Sequence, residues 1–147
     1  MYEIILMPTD GSKCSKKAAK HALYIADISN ANIILLHVVD THILRLGYAG
    51  FFKEDLYNML MEAGKRVIED FRKEIDIYGA KCSKNIRVIT KIKDGEPYDE
   101  IVKTIEDEDI DLVVMGASGI RGIDRILLGS VTEKVVRKSR APVLVVH

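Results

Sequence analysis

Five apolar runs along the chain predict five β-strands. Four of them are apolar at almost every position, which is typical of strands buried on both faces of a parallel sheet. The other run alternates apolar and polar residues, which favours a half-exposed strand at the edge of the sheet. The predicted strands are Glu3–Pro8, Ile33–Val39, the alternating Asn85–Ile92, Asp111–Gly116 and Pro142–His147.

Four segments with helical periodicity separate these strands. In the first segment, Ser12 or Ser15 is a candidate N-cap, and one face of the helix carries Ala18, Ala19, Ala22, Leu23 and Ala26. The second spans roughly Lys53–Tyr78, and Gly79 is placed to end it in the left-handed conformation. Its predicted core stripe is Leu56, Met59, Leu60, Ala63, Val67, Phe71 and Ile75.

The last two helices have recognisable starts. Pro97 suits the first position of the third helix, and Ser130 with Glu133 has the spacing of a capping box for the fourth. The resulting β-α-β-α-β-α-β-α-β order favours an open five-stranded parallel sheet with strand order 3-2-1-4-5 and helices on both faces. Ligands of such sheets bind beyond the carboxyl ends of the strands where the order reverses, between the first and fourth strands.

A glycine-containing loop follows the fourth strand at that position. It reads Gly116-Ala117-Ser118-Gly119, continues for nine residues through Arg121 and Arg125, and ends at Gly129-Ser130 before a helix. Glycine permits close approach of a ligand to the backbone, and a helix N-terminus offers unpaired N–H groups and partial positive charge. The pattern therefore suits an anion, although a surface loop whose glycines merely serve turns has the same spacing.

Composition limits the function classes. The chain has 147 residues, 48% hydrophobic and 30% charged, with 22 basic and 22 acidic side chains. Zero formal net charge gives no general attraction to nucleic acid or to an anionic membrane, and no apolar run is long enough to span a bilayer. No signal peptide is evident, so we expect a cytoplasmic protein in which Cys14 and Cys82 are free thiols.

Several polar features have ordinary structural interpretations. Asp107-Glu108-Asp109 is expected to be a solvated helix exit rather than a metal site, and His37 a packed or hydrogen-bonded strand residue rather than a catalyst. The irregular segment Asp40–Phe52 predicts either a mobile or partner-binding loop or a lengthened crossover packed on its own domain.

Three stretches of the chain together resemble the ATP-binding branch of the universal stress protein family. They are Pro8-Thr9-Asp10-Gly11-Ser12, His37-Val38-Val39-Asp40, and Met115-Gly116-Ala117-Ser118-Gly119 continuing to Gly129-Ser130-Val131-Thr132. The resemblance covers the whole chain except Asp40–Phe52. It implies one nucleotide-binding domain over residues 1–147 with an adenine nucleotide alpha hydrolase-like fold.

The resemblance also implies a ligand and its contacts. The ligand is ATP, with Mg²⁺ bound through the phosphates. Asp10 resembles the acidic residue near the ribose or base, Val38 resembles the residue whose backbone lies beside adenine, and the glycine loop resembles the phosphate cradle. The implied nucleotide-binding residues are Pro8, Thr9, Asp10, Val38, Met115, Gly116, Gly119, Arg125, Gly129, Ser130, Val131 and Thr132.

Three functions are compatible with these residues. The first is an ATP-binding regulatory switch in the stress response, acting as a homodimer through Val143–Val146 on an unknown protein partner. The second is a slow ATPase, although the Walker pattern Gly-x4-Gly-Lys-Ser/Thr is absent. The third is a dimeric scaffold that ignores nucleotide, since the terminal apolar strand could pair with a second copy in either case.

Overall fold

Strands and helices alternate through the computed structural model, which describes residues 1–46, 52–83, 85–118 and 127–147. The strands are β1 (Ile4–Pro8), β2 (Asn32–Asp40), β3 (Val88–Gly95), β4 (Leu112–Gly116) and β5 (Val143–Val146). The helices are α1 (Lys13–Ser29), α2 (Lys53–Gly79), α3 (Pro97–Asp107) and α4 (Ser130–Lys138), and a 3₁₀ turn occupies His42–Leu46.

All strand pairs are parallel, in the order β3-β2-β1-β4-β5. Ile5 pairs with Ile33 of β2 on one side and with Leu112 of β4 on the other, so β1 is the central strand. The predicted sheet and its strand order are confirmed, as is the edge position of β3. The carboxyl ends of β1 and β4, where the order reverses, lie side by side.

Alternate residues of the central strands supply two separate cores. Ile5 and Met7 belong to a buried cluster under α1 and α2, whereas Leu6 belongs to a cluster on the opposite face with residues of α3 and α4. The apolar runs therefore follow from burial on both faces. The predicted face of α1 is buried as expected, at Ala18, Ala19, Ala22, Leu23 and Ala26.

The predicted core stripe of α2 is only partly correct. Phe71 and Ile75 are buried, but Met59 is 69% exposed, and the buried positions one and two turns earlier than Phe71 are Ile68 and Gly64. A Cβ at residue 64 would stand 2.5 Å from Cγ2 of Val39 on β2. Since only glycine permits this approach, the helix is rotated so that Gly64, rather than a larger apolar residue, faces the sheet.

Helix ends differ from prediction at two places. Gly79 is the last helical residue and not a left-handed cap; α2 ends through Ala80 in the right-handed region. The capping box at Ser130 is also wrong, because Gly129 is the N-cap of α4 and Ser130 is its first helical residue. Ser12, in contrast, is the N-cap of α1, and its hydroxyl accepts a hydrogen bond from the Ser15 N–H at 3.2 Å.

Other sequence expectations can be placed on the fold. Glu108 pairs with Lys91 on β3, and the described part of the chain has no cluster of three or more His, Cys, Asp or Glu that could hold a metal ion. Within the same residues no helix is long and apolar enough to cross a bilayer. Residues 47–51 of the irregular segment lie outside the described residues, as do Gly119, Arg121 and Arg125.

Candidate functional site

A cavity of about 410 Å³ opens at the carboxyl ends of β1 and β4. This volume lies within the range of small-molecule sites in proteins. Among the described residues that line it, ten were predicted from the sequence as ligand-binding: Pro8, Thr9, Asp10, Val38, Met115, Gly116, Gly129, Ser130, Val131 and Thr132. The other two predicted residues, Gly119 and Arg125, lie outside the described residues.

The N-terminus of α4 forms one end of the cavity. Gly129 is in extended conformation (φ −60°, ψ 154°), and the helix begins at Ser130. Because backbone N–H groups in the first helical turn lack intrahelical acceptors, the amides of Ser130, Val131 and Thr132 are available there. No lysine or arginine is among the described lining residues, and the helix N-terminus contributes partial positive charge at this end.

The two hydroxyl groups of this turn have different surroundings. The Thr132 hydroxyl donates to the Gly116 carbonyl at 2.8 Å, and the side chain is buried. It thereby ties α4 to the end of β4, and its backbone N–H is the donor that it can offer to a ligand. The Ser130 hydroxyl lines the cavity and makes no hydrogen bond with any described residue.

A network of hydroxyl groups fixes the turn between β1 and α1. The buried Thr9 hydroxyl donates to Ser15 Oγ at 3.0 Å and accepts from the Gly11 N–H at 3.1 Å. Gly11 has φ +80°, which favours glycine. Asp10 Oδ1 accepts from the Ser12 N–H at 2.9 Å. The Asp10 carboxylate is therefore held at the cavity wall by its own turn, and its other oxygen makes no hydrogen bond with a described residue.

The peptide groups of Val38 face the cavity because β1 is shorter than β2. In a parallel ladder, alternate residues of a strand direct both N–H and C=O toward the same neighbour. The Leu36 carbonyl accepts from the Thr9 N–H at 2.8 Å, so Val38, two residues later, also faces the β1 side. Since β1 ends at Pro8, no described residue of β1 or its turn pairs with the Val38 backbone. One donor and one acceptor therefore stand side by side at this wall.

His37 has a structural contact, as predicted. Its Nδ1 lies 2.7 Å from the Thr9 carbonyl oxygen and so donates a hydrogen bond to it. On its other side, the ring faces α2 at Gly64, where a Cβ would stand 3.5 Å from Nε2. His37 is not among the described residues that line the cavity; it positions the end of β1 against β2.

Eight further residues that line the cavity were missed. Some are apolar residues of α3 and of the chain before α4, and others are serines close to α1. The eight residues are Ser12, Ser15, Leu36, Pro97, Ile101, Ser118, Leu127 and Leu128. The alternation of β2 could have indicated Leu36, which is two residues before Val38 on the same face. Pro97 and Ile101 enter through the crossing of α3 over the sheet, which the local sequence pattern does not encode.

Comparisons with known proteins agree with this architecture. The family model described as "Universal stress protein family" matches residues 1–147. The universal stress protein MJ0577 of Methanocaldococcus jannaschii is 40% identical over 160 aligned positions, which cover 99% of this chain and 95% of the relative.

Solved structures extend the comparison to three dimensions. The structure of MJ0577 matches with a TM-score of 0.83, at 40% identity, over 99% of this chain and 96% of that chain. UspA from Lactobacillus plantarum matches with a TM-score of 0.86, at 28% identity, over 99% and 98%. A universal stress protein solved in complex with cAMP matches with a TM-score of 0.67, at 27% identity, over 99% and 97%.

The family assignment therefore has two independent supports. The matched model and the MJ0577 similarity both extend over essentially the whole chain, and the sheet order places the motif residues around one cavity. The resemblance found in the sequence is confirmed: the chain belongs to the universal stress protein family.

Proposed function

We propose that the protein binds ATP in the cavity between β1 and β4, with Mg²⁺ held mainly by the phosphate oxygens. The observation that carries this proposal is the position of the α4 N-terminus. Three successive backbone N–H groups, from Ser130 to Thr132, meet a cavity at the carboxyl end of the sheet. Helix N-termini bind phosphate through these amides and through the helix dipole. Mg²⁺ keeps several waters and favours phosphate oxygens over all-protein sites.

The Val38 peptide groups favour adenine as the base. Adenine presents an amino donor beside a ring-nitrogen acceptor on its Watson–Crick edge, which complements the C=O and N–H of Val38. Guanine presents a carbonyl acceptor beside an N–H donor, so like groups would face each other. Apolar walls from Leu36, Pro97 and Ile101 suit the faces of a base. The related structure with cAMP supports the same ligand class, since cAMP carries adenine, ribose and a phosphate.

The proposed role of binding is regulatory. The protein acts in the stress response as a homodimer joined through the outer edge of β5, and its nucleotide state is passed to a protein partner. Its free thiols, Cys14 and Cys82, are consistent with work in the reducing cytoplasm.

Calorimetric titration of the purified protein with MgATP and MgGTP tests nucleotide binding. We expect MgATP to bind and MgGTP to bind at least about tenfold more weakly, which corresponds to about 1.4 kcal/mol for mismatched hydrogen bonds. Gly129→Val places a branched side chain at the rim where phosphate approaches the backbone. Its φ of −60° is accessible to valine, so we expect a folded variant with strongly reduced ATP affinity.

Gly79→Val is the matched control. It makes the same substitution at a helix end, where the added Cβ meets no atom of the described residues within 4 Å beyond its own stretch of helix, and should leave ATP affinity unchanged. Absence of heat at millimolar MgATP would contradict the proposal, as would undiminished ATP binding by folded Gly129→Val protein.

A further inference from the structure

The buried residue Ala117 joins the cavity rim to the last strand. Its N–H donates to the Val146 carbonyl at 2.8 Å, and its C=O accepts from the Gly129 N–H at 2.7 Å. Ala117 is 2% exposed, so water cannot readily replace either hydrogen bond. Through its N–H and its C=O, Ala117 thus connects the end of β5 to Gly129, the N-cap of α4.

The adjacent residue makes a second attachment to the same helical turn. The Gly116 carbonyl accepts from the Thr132 hydroxyl at 2.8 Å, while Gly116 itself pairs with Val146 in the sheet. The first turn of α4 is therefore fixed at two points to the end of β4, and that end is fixed to β5. No residue of β5 is among the described residues that line the cavity.

We propose that Ala117 is a positioning residue that couples β5 to the phosphate-binding end of the cavity. When the Val146–Ala117 hydrogen bond is intact, the Gly129 amide and the first turn of α4 are held in the arrangement that binds phosphate. By linkage, phosphate binding strengthens the attachment of β5 to the same extent. This inference rests on the proposed nucleotide binding and assigns its control to a strand outside the cavity.

The test compares two variants at the end of β5. Deletion of Val146 and His147 removes both the buried Val146 side chain and the acceptor for the Ala117 N–H. Val146→Ala removes most of the side chain and keeps the acceptor. Calorimetric affinities for MgATP and for adenosine are measured with both. We expect the deletion to weaken MgATP binding about tenfold relative to Val146→Ala, the order of one lost hydrogen bond.

Adenosine separates positioning from general loss of structure. It fills the base and ribose positions without reaching the α4 N-terminus, so its affinity should stay within about twofold in both variants, well below a tenfold effect. An equal loss for both ligands, or an unchanged ratio of their affinities, would overturn the coupling while leaving nucleotide binding established. Absence of binding by the unmodified protein would overturn both proposals.

Hydrogen exchange of the unmodified protein gives a test that does not depend on folding of the deletion variant. Saturation with MgATP should slow exchange of the Ala117 and Gly129 amides, and adenosine should slow them less. Equal protection by the two ligands, or no change at Ala117 when MgATP is saturating, would overturn the coupling.

Discussion

At the scale of single residues, Gly116 shows that packing can require a motif glycine independently of any ligand. A Cβ at this position would stand 2.8 Å from the backbone carbonyl carbon and the Cβ of Cys14, and 2.9 Å from the Ser15 nitrogen. The N-terminal turn of α1 therefore lies directly against the end of β4. Any side chain at residue 116 would push the turn that carries Ser12 and Ser15 away from the cavity.

Gly116→Ala should consequently destabilise the protein without any ligand present. We expect a loss of about 1–3 kcal/mol in the free energy of unfolding, the usual cost of forcing extra atoms into a packed interior. Urea denaturation measures it. Gly79→Ala is the control, because among the described residues its Cβ meets no atom within 4 Å outside its own stretch of helix, and it should be neutral or slightly stabilising. Equal stability of the two variants would show that α1 can shift freely.

Cys82 gives a prediction about pH. Partial burial raises the pKa of this thiol above its ordinary value, and the charge of Asp27 adds to the rise. Since the folded state favours the protonated thiol, this contribution to stability is present below the ordinary thiol pKa. It is lost as pH rises through the higher pKa of the folded state.

Alkylation of Cys82 by iodoacetamide should therefore have its pH midpoint above that of the same residue in urea-unfolded protein, because the thiolate is the nucleophile. Mass spectrometry of the Cys82 peptide measures the rate. Cys82→Ser should remove the corresponding fall in stability at alkaline pH. Identical midpoints in folded and unfolded protein would contradict the effect of burial.

The position of a site residue can be predicted from the sequence when it depends on nearby residues of the chain, and not when it depends on contacts between distant segments. Asp10 could be placed at the cavity because it follows a recognisable buried strand, and parallel strands bring their carboxyl ends together. Val38 was expected there from the family resemblance alone, since it lies inside the second strand. The Thr132 hydroxyl could be named but not its partner, since its bond to the Gly116 carbonyl forms between segments sixteen residues apart. Ile101 was missed because its place at the cavity depends on how α3 crosses the sheet.

At the scale of elements, α2 shows why a correct helix can be assigned an incorrect face. The predicted stripe counted apolar side chains, whereas the observed contact with β2 is made where a side chain is absent, at Gly64. Phe71 and Ile75 lie on both the predicted and the observed faces, and the two faces diverge toward the N-terminus of the helix. A prediction based on side chains also fails at α4, where Gly129 is the N-cap although Ser130 has the better capping side chain.

The close contact of α2 with β2 predicts strong coupling between two residues. Gly64→Ala gains helix propensity of about 1 kcal/mol, but its Cβ would lie 2.5 Å from Cγ2 of the buried Val39. We expect net destabilisation, and we expect Val39→Ala to relieve it. In a double-mutant cycle by urea denaturation, the two effects should fall short of additivity by at least about 1 kcal/mol. Additive effects would mean that α2 moves away from β2 at little cost.

At the scale of the whole molecule, ligand binding should increase the stability of the folded protein. A ligand that binds only the folded state stabilises it by about 2.7 kcal/mol at a hundredfold excess over Kd. For a chain of this size that corresponds to a rise of roughly 5–10 °C in Tm. Thermal unfolding with MgATP should show this rise, and Gly129→Val protein should not. A rise of equal size in both proteins would indicate binding outside the proposed cavity.

The proposed homodimer depends on which hydrogen-bonding groups of β5 point outward. The Pro142 carbonyl accepts a hydrogen bond from the N–H of Val113 in β4, and the Val146 carbonyl accepts one from the N–H of Ala117, which directly follows β4. By the alternation of a parallel ladder, Leu144 also faces β4, whereas Val143 and Val145 direct their N–H and C=O groups to the outer edge. A second copy pairing with this edge would use those two residues.

Proline substitution can distinguish an N–H group that faces the outer edge from one that faces β4. Proline removes one N–H and is tolerated on edge strands. Val145→Pro removes an outward N–H, so we expect a folded protein that sediments as a monomer at concentrations where the unmodified protein is a dimer. Leu144→Pro removes an N–H that faces β4 and should lower Tm. A dimer that survives Val145→Pro with unchanged affinity would place the subunit contact elsewhere on the molecule. The distinction follows from strand parity alone, because residues 144 and 145 are neighbours in the same strand and differ in the side of the sheet to which their amides point.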